Sequence, residues 1–111
     1  MTLEEFEGLV ADALDQIPPE LGSKIENVVV LVDDRARPGH LLGLYEGLPL
    51  TERGIGYSAI APDRITIYKA AICAACETGE EVRAMVRRTV LHEVGHHFGI
   101  DDQRLKELGW G

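Results

Sequence analysis

Apolar residues recur at helical steps at both ends of the chain and at strand-like spacing between them. Leu3, Phe6, Val10, Ala13 or Leu14, and Ile17 advance by threes and fours, which predicts an amphipathic helix over about 3–16. Thr2 and Glu5 form a capping-box pair at its start, and Pro18 and Pro19 stop it. After a turn at Gly22, residues 25–32 read IENVVVLV, a nearly continuous β-branched run that predicts a strand covered on both faces. Residues 41–47, LLGLYEG, predict a second strand, in which Gly43 marks an edge position or a close backbone approach. Residues 64–72, RITIYKAAI, predict a third, with Ile65 and Ile67 on one face and Thr66 and Tyr68 on the other.

The final long element is a helix running to about residue 98. Thr78 and Glu81 form a second capping-box pair. Val82, Met85, Val86, Val90, Leu91, Val94 and Phe98 spread apolar surface around most of this helix, so it is predicted to be buried on several sides. Gly99 is placed to end it in a left-handed cap. RLKEL (104–108) predicts a short terminal helix with Leu105 and Leu108 inward. No repeat, low-complexity run or linker divides residues 1–111, so the elements make one α+β domain.

Composition narrows the function. With 45% hydrophobic and 27% charged residues, the 111-residue chain has ordinary globular chemistry. Its formal net charge of −8 repels phosphate backbones, and the nearest basic cluster, Arg83, Arg87 and Arg88, lies among acidic neighbours. No nucleic-acid partner is expected. The first residues show no secretory pattern, and no apolar stretch is long enough for a membrane helix. Two cysteines are too few for a disulfide scaffold, so a cytoplasmic protein without a membrane partner is expected. Self-association is left open.

The chemistry sits in HEVGHHFGIDD, residues 92–102. His92 and His96 are four apart on one helix face and can share a metal ion. Glu93 is rotated by about 100°, which sets its carboxylate beside the ion, where it can take a proton from water. Neutral imidazoles suit Zn2+, and a carboxylate beside them suits a general base. By this composition, the His-Glu-x-x-His pattern has a chance expectation of about 0.015.

Two imidazoles need a third protein ligand. Gly99 lets the backbone turn back over the same face, and Asp102, six residues after His96, has the reach; Asp101 competes. Glu107 and the distant His40 are weaker candidates. His97 points about 140° away from His92, so it is expected to pack against the sheet with a ring nitrogen bonded to backbone or carboxylate. Tyr45, Tyr57 and Arg104 are candidate donors to a developing oxyanion. Cys73 and Cys76 form a lone CxxC without the two further ligands of a structural zinc site, and read as buried small residues at a turn.

Across nearly its whole length the chain resembles the minimal zincins, a bacterial family of small zincin-like metallopeptidase domains. The matching stretches are LLGLYEGLPLTER (41–53), PDRITIYKAAI (62–72) and VRRTVLHEVGHHFGIDDQRLKELG (86–109). On the family motif, HExxHHFGxxDxxL, the paired histidine ligands fall on His92 and His96 and the catalytic glutamate on Glu93. The family's glycine falls on Gly99 and its aspartate on Asp102. The resemblance implies a small curved mixed sheet packed against the N-terminal helix and a zincin-like active-site helix lying beneath a cleft. Metzincins place a third histidine where this chain has Asp102, followed by a methionine turn; here only Met1 and Met85 exist.

Together these features predict a zinc-dependent peptidase acting on a peptide or protein substrate, with Glu93 as general base. An exposed sheet edge, LLGLY, is the expected place for an extended peptide to add as a strand. Two rivals are a metal-binding regulatory or interaction module without catalysis, and a hydrolase acting on a small amide.

Overall fold

The structure, a computed structural model, describes residues 1–25, 27–35, 41–49 and 62–108. Helix α1 (Leu3–Asp15) starts as its capping box requires: the Thr2 hydroxyl accepts from the Glu5 N–H at 3.1 Å, and Glu5 accepts from the Thr2 N–H. It buries Phe6, Val10 and Ala13. Pro19 then opens a four-residue helix not foreseen from the sequence, α2 (Pro19–Gly22). Proline lacks only an N–H that the first helical turn leaves unused.

Strand β1 (Val28–Asp33) begins three residues later than expected. Asn27 holds a left-handed backbone, φ 53°, which breaks the extended run ahead of it. Strands β2 (Gly43–Glu46) and β3 (Asp63–Tyr68) complete a mixed sheet of order β1-β3-β2, with β3 parallel to β1 and antiparallel to β2. The register sets Val30 beside Ile65, Val32 beside Ile67, and Ile65 beside Tyr45. One face therefore carries Val28, Val30, Val32, Ile65 and Ile67 into the core with Phe6, Val10, Val86, Val90 and Val94.

The valine run does not mean burial on both faces. Val29 and Leu31 point to the opposite face and are 39% and 44% exposed. Among the described residues, the helices cover one side of the sheet only. The β-branched run reflects strand propensity, which operates on an open face as well.

The third strand also ends early. Beyond Tyr68 the chain turns into α3 (Lys69–Ala74), whose alanines favour helix over strand. Ile72 reaches the core from that helix. Next comes α4 (Gly79–His97), where the Thr78 hydroxyl accepts from the Glu81 N–H at 3.1 Å. The expected capping box is half formed, because Glu81 reaches past Thr78 to accept from the Glu77 N–H at 2.8 Å. The helix is buried on several sides, with Val82, Val86, Thr89, Val90, Glu93, Val94, Gly95 and His97 inside.

Gly99, φ 82°, ends α4 as predicted. Its N–H donates to the His96 carbonyl and that of Ile100 to the Gly95 carbonyl, the paired bonds of a Schellman turn. Helix α5 (Asp102–Leu108) follows directly and buries Leu105. No helix among the described residues is long and apolar enough to cross a membrane.

Candidate metal centre

The last two turns of α4 bring the paired histidines together. Their Nε2 atoms lie 3.1 Å apart, with the rings edge to face at 80°. The turn at Gly99 carries Asp102 back over them, placing its Oδ1 3.1 Å from His96 Nε2 and 3.3 Å from His92 Nε2. Asp101 is turned elsewhere, accepting from the Arg104 N–H at 2.8 Å as the cap of α5.

What holds Asp102 there is the docking of α5 on α4. A Cβ on Gly95 would overlap Leu105 Cδ2, so only glycine lets this fully buried leucine seat against α4. Gly95 belongs to the same His-Glu-x-x-His stretch, yet its role is visible only once α5 is in place.

These donors fit a zinc ion. Ligands on a tetrahedral zinc at about 2.0–2.1 Å lie about 3.3–3.4 Å from one another. The triangle of two imidazole nitrogens and one carboxylate oxygen has edges of 3.1, 3.1 and 3.3 Å. Two nitrogens and an oxygen, with no sulfur, are a borderline set suited to that ion.

Glu93 completes the group from the side, offering a carboxylate oxygen within 4.8 Å of the imidazole nitrogens. It stands apart from the tighter triangle and is itself buried, with 7% exposed. Burial pushes its carboxyl above the usual carboxylate range. The neighbouring His92 and His96 act in the opposite sense, Asp102 in the same sense, and the Tyr45 N–H, which donates to this carboxylate, lowers it. The result is a group better able to hold a proton than an ordinary glutamate.

Strand β2 supports Glu93 by coming very close to α4. A Cβ on Gly43 would meet Thr89 Cγ2 at 2.7 Å and Glu93 Cγ at 3.2 Å. Among the described residues Gly43 is thus both of the things its sequence context offered, an edge-strand residue and a close approach.

Behind the site lies a polar network of which sequence reasoning reaches only the His97 end. His97 is buried at 1% exposure, and its Nδ1 lies 3.0 Å from Oδ2 of Asp63, itself 3% exposed. The Tyr45 hydroxyl donates to the same carboxylate oxygen, and the Leu48 N–H approaches the other oxygen at 3.4 Å. A Cβ on Gly47 would overlap the Asp63 carboxyl, so that glycine lets the chain close over it. His97 packs on the sheet and bonds a carboxylate, as its position on the helix predicted.

The other candidates divide cleanly. Tyr45 faces Asp63 with its hydroxyl and Glu93 with its N–H, so its hydroxyl is not the oxyanion donor. Arg104 is exposed and paired with Glu107 at 2.8 Å. His40 and Tyr57 lie outside the described residues. Cys73 and Cys76 are half-buried free thiols rather than fully buried ones, and burial pushes the Cys76 thiol up, away from a reactive thiolate.

The model of the zincin-like metallopeptidase family matches residues 25–110, more than three quarters of the chain. The chain is also similar to the solved structure of a conserved hypothetical protein from Thermus thermophilus, at 26% identity with a TM-score of 0.55, covering 97% of each chain. No curated protein matches it. Residues 92–102 lie within the matched region, and the chain belongs to the zincin-like metallopeptidase family.

Proposed function

We propose that the protein is a zinc-dependent peptidase that hydrolyses bonds in a peptide or protein substrate. His92, His96 and Asp102 hold the ion and Glu93 is the general base. The observation that carries this reading is the buried carboxylate of Glu93, set beside but apart from a donor triangle of zinc dimensions.

Zinc, once bound, supplies Lewis acidity that polarises a carbonyl and lets a water molecule ionise near neutrality. The chain's own groups do the rest. Glu93 accepts the proton of the attacking water and returns it to the leaving amine, a transfer suited to a buried carboxyl beside the ion. The Tyr45 N–H fixes the carboxylate that makes this transfer. Strand β2, at the edge of the sheet among the described residues and packed on α4, is where an extended substrate adds as a further strand. We place the protein in the cytoplasm, where Cys73 and Cys76 stay reduced.

Zinc titration with peptide-library digestion tests this. The parent should bind one zinc and cleave. Glu93→Gln should bind one zinc without turnover, and His96→Ala should bind none. Zero stoichiometry in the parent overturns the reading, as does turnover that survives Glu93→Gln. A parent that binds zinc but cleaves nothing is a non-catalytic metal-binding module.

A further inference from the structure

A groove opens directly beside Glu93. Its floor is α4, where Met85, Arg88 and His92 follow one another at steps of three and four and Thr89 and Glu93 form the neighbouring row. Its wall is the chain entering β2: Leu41, Leu42 and Gly43. Together they enclose about 340 Å3, room for a long side chain and the backbone that carries it.

The groove is chemically uneven. Leu41 and Leu42 make its wall apolar, the Thr89 methyl lies beside Gly43 on the floor, and Met85 continues the apolar surface beyond Arg88. Glu93 lies toward the C-terminal end of the floor, and Arg88, an exposed residue that makes no ion pair among the described residues, lies more than one turn before it. Arg88 lies one helical turn before His92, a rise of about 6 Å along α4. A side chain entering beside the metal triangle therefore passes the Thr89 methyl and the Leu42 wall before it meets the arginine. A carboxylate would be repelled at the Glu93 end and attracted at the Arg88 end.

We infer that this groove receives the side chain of a glutamate adjoining the scissile bond, its methylenes against Leu42 and the Thr89 methyl and its carboxylate on Arg88. The inference rests on the peptidase reading above. Glutamate suits the distance better than aspartate, which is one methylene shorter, and an uncharged leucine leaves Arg88 without its partner. The net charge of −8 repels acidic chains as a whole. The substrate class is accordingly a peptide with one glutamate at the cleavage point in otherwise neutral or basic sequence.

Matched fluorogenic peptides differing only at the residues flanking the cleaved bond test this on the zinc-loaded protein. Glutamate should exceed glutamine, leucine and aspartate in kcat/KM by about tenfold at one flanking position. Arg88→Glu should reverse the order in favour of lysine while the zinc stoichiometry stays at one. Cleavage with no difference between glutamate and glutamine, or with leucine preferred, overturns the inference and leaves the peptidase reading standing. A second readout is independent of turnover: binding of the same peptides, by fluorescence anisotropy, to the Glu93→Gln protein. Tighter binding of the glutamate peptide that disappears in Glu93→Gln/Arg88→Glu supports the groove assignment even if the parent cleaves nothing, a result that would count against peptide hydrolysis alone. Equal affinities overturn it.

Discussion

Asp63, the first residue of β3, holds Nδ1 of His97 at 3.0 Å from its Oδ2, joining the sheet to the helix residue immediately after His96. Both side chains are almost wholly buried, and the Tyr45 hydroxyl shares the carboxylate. A buried polar group that loses its partner keeps its desolvation cost. Asp63→Ala should therefore destabilise the fold by about 3 kcal/mol, read from urea unfolding. His97→Ala should cost a similar amount, and the double variant less than the two together, because the pair shares one interaction. Additive losses in that cycle would show that the two residues stabilise the fold separately.

Gly95 makes a second, more local demand. An alanine there would press on the buried Leu105 side chain and lift α5 from α4. Overpacking of this kind costs about 1–3 kcal/mol. Because α5 begins at Asp102, Gly95→Ala should also weaken zinc binding, measured by competition with a chelating dye. Unchanged zinc affinity in a destabilised variant would mean that the turn at Gly99 alone positions Asp102.

The contrast between these two positions shows how far the sequence is readable. The paired histidines, Glu93 and the Gly99 cap are local relations within one helix and its terminal turn, so spacing alone discloses them. Asp102 is within reach for the same reason, but spacing leaves Asp101 in competition; the structure separates the two, with Asp102 Oδ1 beside both imidazoles and Asp101 accepting from the Arg104 N–H. Asp63 and His97 are 34 residues apart and Tyr45 and Asp63 are 18 apart, so their partnership depends on sheet order and leaves no periodic trace. The misread segments failed for a related cause. The valines of β1 carry the same β-branched signal with one face open, and the alternation through Ile65 and Ile67 does not announce that Lys69–Ala74 turns helical.

The two neighbouring aspartates should separate experimentally as they do structurally. Asp102 is 73% exposed, so its removal costs little folding energy and the loss falls on the metal. Asp102→Ala should lower zinc affinity by more than about a hundredfold, exceeding the loss usual for groups that only orient a ligand. Asp101→Ala should cost about 1 kcal/mol of stability through the lost cap, with a smaller effect on zinc. Isothermal titration beside thermal melts distinguishes them, and the reverse ranking would make Asp101 the ligand.

Glu93 also gives the metal-free protein a pH dependence whose sign follows from its environment. Burial raises its folded-state pKa above the ordinary value of 4.5, so between those two values the folded chain binds the proton more strongly than the unfolded chain does. Stability from this group is therefore greatest below the ordinary value and declines as pH rises toward the raised one. Glutamine has the same shape and no charge to desolvate. With zinc removed by chelation, Glu93→Gln should melt higher than the parent at pH 7, and the gap should shrink as pH falls below about 4.5. A parent that is the more stable of the two at neutral pH would mean that its surroundings favour the ionised carboxylate.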